Sequence, residues 1–150
     1  MRSGLIGTSL GVLLAIVAAG PAVAACTISA SGVSFGSYNV FSATPLDASG
    51  TVTIQCSPLA INVQVQLSRG GAASFSPRQM RQGGSTLNYN LYTDVTRLLI
   101  WGDGTAGTQV LSALVAAFVD VVVPVYGRIP AQQNVPAGSY TDTITATIIF

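Results

Sequence analysis

The acidic groups of this 150-residue chain are five aspartates, Asp47, Asp94, Asp103, Asp120 and Asp142, and there is no Glu and no His. Asp94, Asp103 and Asp142 are the residues that could form a carboxylate cluster, for acid–base work on a glycoside or for Ca²⁺. Each also sits in or beside turn-type sequence, where an Asp side chain bonds the local backbone instead. Asp120 lies inside an apolar run; if buried it needs a partner, and Arg97 and Arg128 are available. With no His and no Glu, the sets required for general acid–base or nucleophilic catalysis are incomplete. No catalytic residue, metal ligand or cofactor is therefore assigned, and the chain is not read as an enzyme. The five Tyr and one Trp fall in strand-like patterns and read as core.

The remaining reactive pair is Cys26 and Cys56. Their meaning depends on compartment. Met1-Arg2 gives a positive start, residues 5–19 are apolar, and Ala22-Val23-Ala24 has the A-x-A form of a cleavage site. This pattern is a secretory signal peptide over residues 1–24, with the mature domain at 25–150. A membrane anchor is the competing reading, but the apolar run is short for a bilayer and no other stretch of the mature chain would span one. Export places the cysteines in an oxidising space, so they are expected to form a disulfide. A closed loop of about 30 residues restricts the unfolded chain by roughly 3–4 kcal/mol on the chain-entropy account. Past residue 24 five Arg face five Asp, and this neutrality excludes a basic nucleic-acid-binding face. Low charge also favours association over dispersion.

The elements that must carry these residues alternate with period two, the mark of strands with one buried face. Residues 26–30 and 51–56 are such strands, which would set Cys26 beside Cys56. Residues 33–38 alternate again and continue the first edge across a kink. Residues 44–50 read as turn material. Residues 61–67 carry four apolar residues inward and three amides outward. A polar stretch at 77–81 is expected to cover one end of the domain. Residues 87–92 and 98–101 read as a hairpin about a turn at 94–97, with a tight Gly-rich turn at 102–105. Over 110–126 helical spacing and β-branched composition compete, and strand is favoured. The last stretch reads Ser139-Tyr140-Thr141-Asp142-Thr143-Ile144-Thr145-Ala146-Thr147-Ile148-Ile149-Phe150. Ile144, Ala146, Ile148 and Phe150 point one way and the threonines the other, while Ile149 suggests cover on both sides. The partner for this strand's free side must come from earlier in the chain or from another molecule. Seven or eight short strands with turns between them form a β-sandwich pattern.

Four stretches then point further: Tyr89-Asn90-Leu91-Tyr92-Thr93-Asp94, Ile100-Trp101-Gly102-Asp103-Gly104-Thr105, Val125-Tyr126-Gly127-Arg128-Ile129-Pro130, and Pro136-Ala137-Gly138-Ser139-Tyr140-Thr141-Asp142. With the cysteine pair, these resemble the spore coat protein U domain family, which includes pilin subunits of archaic chaperone–usher systems, over residues 26–150. The resemblance implies an all-β, immunoglobulin-like β-sandwich, incomplete because it lacks its last strand and is completed in trans. It implies a periplasmic chaperone, an outer-membrane usher and other pilin subunits as partners. It also implies passage through the periplasm to the cell surface or outside it, with roles in a pilus, biofilm or coat. The acceptor edge would be Ile144, Ala146, Ile148 and Phe150. A donor extension needs about 8–12 residues at roughly 3.3 Å each, yet cleavage after Ala24 leaves Ala25 alone ahead of Cys26. A filament-end subunit is therefore expected. The alternative is a stand-alone secreted adhesion or binding module. The apolar stretch 110–118 is either a buried strand or an exposed contact patch.

Overall fold

A computed structural model describes residues 23–150; the signal-peptide reading falls outside them, apart from its last two residues. The described residues form eight strands and no helix: β1 (Ala25–Ser31), β2 (Leu46–Ser57), β3 (Ile61–Leu67), β4 (Arg78–Gln82), β5 (Ser85–Tyr92), β6 (Leu111–Val115), β7 (Val121–Ile129) and β8 (Ala146–Ile149). One sheet has the order β1-β2-β7-β5-β4 and the other β6-β3-β8. All strand pairings are antiparallel. The two inner faces meet in a single core. Val52, Ile54, Leu91, Val125 and Ile129 come from the larger sheet, and Val63, Val65 and Val115 from the smaller. The result is a sandwich of the immunoglobulin-like kind.

Alternation predicts the faces well where a strand is covered on one side. In β3, Val63, Val65 and Leu67 are buried while Asn62 and Gln64 are exposed. Trp101 closes the core beside this strand and donates its indole N–H to Val65 O at 2.8 Å. β2 is longer than expected. Leu46 to Gly50, read as turn material, pairs with Ile129 to Val125 of β7 and turns the inner residues of that segment toward the core. The helical alternative over 110–126 is not realised: β6 and β7 occupy it. The hairpin expected at 87–101 is reduced to one bridge, Tyr92 to Ile100. Residues 98 and 99 are exposed loop, and the strand neighbours of β5 are β4 and β7.

Residues 77–81 do not form a polar cover. β4 inserts here, and Arg78 is fully buried. Ile149 is 44 % exposed, so the far end of β8 is not covered on both sides. The stretch 110–118 divides between the two readings. Val115 is buried, Leu111 and Ala113 are half-buried against the core, and Leu114 and Phe118 project into solvent.

Cys26 and Cys56 are directly opposed in the β1–β2 ladder, with Cα atoms 4.2 Å apart, and form the disulfide. The bond staples an edge strand whose inner face rests on Ile28 and Cys26, both half-buried. Cys26→Ser is expected to lower periplasmic yield and to reduce stability by about 3 kcal/mol. Wild-type yield with an unshifted melting temperature would show that β1 holds without the bond.

Candidate strand-acceptor groove

Two segments outside the strands line the same cavity. The first, residues 32–38, runs on from β1. Val33 and Phe35 lie in a trough between two inward-facing glycines on neighbouring strands. A Cβ at Gly127 would fall 2.7 Å from Phe35 Cζ and 2.8 Å from Val33 Cγ1, and one at Gly50 3.1 Å from Val33 Cγ2. Glycine inside a strand here marks close approach of another chain segment. Phe35 meets the Tyr89 ring edge-on at 6.1 Å. Tyr38 Oη donates to Pro130 O and accepts from Gln133 N–H, both at 2.8 Å. Side chains therefore seat this segment. Its backbone from 32 to 38 makes no backbone hydrogen bond to a described residue. The expected continuation of the first edge belongs to neither sheet, and Gly36, at φ 69°, turns the chain within it.

The second segment leads into β8. Thr141 exchanges backbone hydrogen bonds with Arg81 of β4 at 2.8 and 3.1 Å. Thr145 O accepts from Ser68 N–H at 2.9 Å, and β8 then pairs with β3, setting Ile148 beside Val65. All these bonds lie on one side. The opposite side of β8 has no strand among the described residues. β1 approaches β8 to within 8 Å between Cα atoms.

Between the segments is a cavity of about 1040 Å³. Val33, Phe35 and Tyr38 form one wall, and Tyr140, Thr141, Asp142 and Ile144 the other. Val52, Leu87, Tyr89, Leu91, Val125 and Ile129 form the floor. The floor is the hydrophobic core itself, open toward this side.

The predicted acceptor row divides. Ile144, Ala146 and Ile148 are half-buried and pack against the core, and of these Ile144 lines the cavity. Phe150 does not join them. It lies past the end of β8, is 60 % exposed, and borders a shallow depression on the outer face with Asn62, Gln64 and Leu114. Alternation carries a side chain to the predicted face only while the strand continues. The residues that the sequence reading did not place at this site are Val33, Phe35 and Tyr89. Their usable signal was the glycine in the middle of each of β2 and β7.

The aspartates are separated rather than clustered, and no group of three or more metal-binding side chains gathers among the described residues. Asp94 accepts from the N–H groups of Leu98 and Leu99 at 3.1 and 2.8 Å and from the Thr96 hydroxyl, and this last bond chiefly holds its carboxyl below the usual range. Asp103 accepts from Thr105 Oγ1 and N–H at 2.6 and 2.9 Å. Asp120 is exposed and accepts from Gln55 Nε2 at 2.8 Å, so it needs no arginine. Arg97 and Arg128 meet Asp47 instead, at 3.3 and 2.7 Å. The Arg128 hydrogen bond is the main reason the Asp47 pKa falls. Asp142 alone reaches the groove. Its Oδ2 accepts the Tyr89 hydroxyl at 2.7 Å, while Oδ1 accepts Gly71 N–H at 2.9 Å and Thr143 N–H at 2.8 Å. Burial, and then this bond, push the Tyr89 hydroxyl pKa far above its ordinary value.

No helix among the described residues is long and apolar enough to cross a membrane. The family profile described as Spore Coat Protein U domain matches residues 13–147. "Protein U" of Myxococcus xanthus is 40% identical over 130 residues, which cover 79% of this chain and 71% of that protein. Among solved structures, the fold overlaps a chaperone–tip adhesion subunit pre-assembly complex (CsuC-CsuE) from archaic chaperone-usher Csu pili of Acinetobacter baumannii, with a TM-score of 0.59 and 24% identity. That overlap covers 85% of this chain and 40% of that one, and it is a likeness of fold. The E. coli Hda pilus minor tip subunit overlaps with a TM-score of 0.43 and 16% identity, over 81% of this chain and 79% of that one, a score too low to build on. On the profile match and the Myxococcus relative, the chain belongs to the Spore Coat Protein U domain family.

Proposed function

We propose that the chain is an exported structural subunit of a chaperone–usher pilus or surface coat, and that it accepts a β-strand from another molecule. The observation that carries this reading is a pair of segments, one without backbone hydrogen bonds and one bonded on one side only, facing each other across a cavity floored by core residues. A strand laid there gains main-chain hydrogen bonds on its flanks and buries every second side chain on Val52, Leu91, Val125 and their neighbours. Left open, the same edge is a template for aggregation, which is the physical need for a chaperone.

On this reading a periplasmic chaperone lends the first strand, and assembly at an outer-membrane usher exchanges it for a strand of another pilin subunit. The acceptor row is Ile144, Ala146 and Ile148. Processing after Ala24 leaves Ala25 ahead of Cys26, too little for a donor strand of about 8–12 residues. The subunit is accordingly assigned to a filament end. Export to the periplasm and then the surface follows from the same reading.

The test is co-expression with a candidate periplasmic chaperone from the same source, followed by size-exclusion chromatography of the periplasmic extract. A 1:1 complex, with aggregation or degradation when the chaperone is left out, is the expected result. A stable monomer produced alone would overturn it in favour of a stand-alone adhesion module.

A further inference from the structure

The groove is not apolar along its whole length. On the β8 side its inward row continues backward from Ile148, Ala146 and Ile144 to Asp142, which lines the cavity. The Asp142 carboxylate accepts three neutral donors, Tyr89 Oη, Gly71 N–H and Thr143 N–H. No cationic nitrogen of a described residue lies within 4 Å of it. Arg81 flanks the same loop but donates to Gly71 O at 3.1 Å, and Arg78 is turned to Ser68 O, Trp101 O and Asn90. A second acceptor sits at this end. Gln82 Oε1 is buried without a hydrogen bond, and a Cβ at Gly138, a cavity-lining residue, would fall 2.3 Å from it. A strand that covers the groove removes water from the Asp142 carboxylate. A carboxylate buried with no cation is costly, and one matched by a cation is not.

We propose that Asp142 sets the register of the incoming strand by pairing with a cationic side chain, Lys or Arg, at the one inward position that reaches it. This rests on the strand-acceptor reading and deepens it: the donor is apolar at the positions over Ile148, Ala146 and Ile144 and basic at the next. A slip by one inward position would put the cation on the apolar floor and an apolar side chain on the carboxylate, so one residue discriminates against both errors.

The experiment extends the full chain beyond Phe150 with a four-residue polar turn and a nine-residue strand of alternating Val and Thr, which folds back antiparallel to β8. Lys is placed singly at each of the four inward positions, and urea unfolding is followed by Trp101 fluorescence. In the wild-type background Lys is expected to weaken folding at the first three positions. At the fourth, opposite Asp142, it should strengthen the folding equilibrium about tenfold over Val. In Asp142→Asn, which keeps the shape of the side chain and removes its charge, that tenfold gain should vanish while the other three positions behave as before. A Lys penalty at all four positions, or a fourth-position gain unchanged by Asp142→Asn, would overturn the proposal. A scrambled extension of the same composition serves as control. If it stabilises as much as the alternating strand, the acceptor reading itself fails.

Discussion

Arg78→Met is expected to destabilise the protein by about 3–5 kcal/mol, shifting the urea midpoint of the purified protein. Arg78 is fully buried in β4 and meets no carboxylate. Its charge is held by a cage of oxygens. Nε and Nη2 donate to Ser68 O at 3.0 and 2.9 Å, Nη2 to Trp101 O at 2.6 Å, and Nη1 to Asn90 Oδ1 at 2.8 Å. The guanidinium carbon also stands 5.2 Å from the Phe75 ring centre. Burial lowers its pKa, as it must for a cation taken from water, but an arginine retains its proton. The fork thus ties the 68–76 loop, β5 and the chain at Trp101 together. Methionine fills much of the same volume but leaves Ser68 O and Trp101 O without their donor, at about 1–3 kcal/mol for each acceptor orphaned, while Asn90 Oδ1 keeps the Leu91 N–H at 3.0 Å. Arg78→Lys should recover little, because a single ammonium cannot span the same oxygens. A midpoint for Arg78→Met within about 1 kcal/mol of wild type would mean that water replaces the guanidinium there, and that the cage is not what holds the loop.

Ile148→Asp is expected to abolish co-purification with the chaperone, leaving less than about a tenth of the wild-type yield of complex. The residue lies in the middle of β8, beside fully buried Val65, with its side chain half-buried against the core. A carboxylate there would be covered by any strand laid alongside and would have no partner. Two neighbours separate this effect from general damage to the strand. Thr147→Asp changes an exposed side chain on the opposite face, and Phe150→Asp changes one that lies beyond the strand and is 60 % exposed. Both should keep the complex. Normal capture by Ile148→Asp would count directly against β8 as the acceptor, and equal loss with all three variants would point to unfolding of the strand rather than to the groove.

Local pattern carried a large part of this fold. In β3 the alternation of apolar and polar residues assigned the side chains to their faces, because a strand half covered by a core imposes period two on its own residues, whereas in β5 Asn90 is buried together with Tyr89 and Leu91. The cysteine pair was legible for the same reason: two alternating strands with Cys26 and Cys56 on their inner faces need only lie side by side. Ile144, Ala146 and Ile148 likewise followed from residue spacing alone, and the four Tyr-, Trp- and Gly-containing stretches sufficed for the family.

Pairing was decided elsewhere. Leu46 to Gly50 has the composition of a turn and becomes strand because β7 is long enough to reach it, so the partner overrides local preference. Residues 98 and 99 have strand composition and become loop, their N–H groups taken by the Asp94 carboxylate at the turn. A polar stretch hid Arg78, since nothing along the chain announces that three oxygens from distant segments will enclose it. The groove is the extreme case. Its walls come from residues 32–38 and 140–144, its seat from Gly50 and Gly127, and its one charge from Asp142 held by Tyr89. Period and composition are properties of neighbours in the chain. A gap between two segments about a hundred residues apart exists only once the sheets have closed around it.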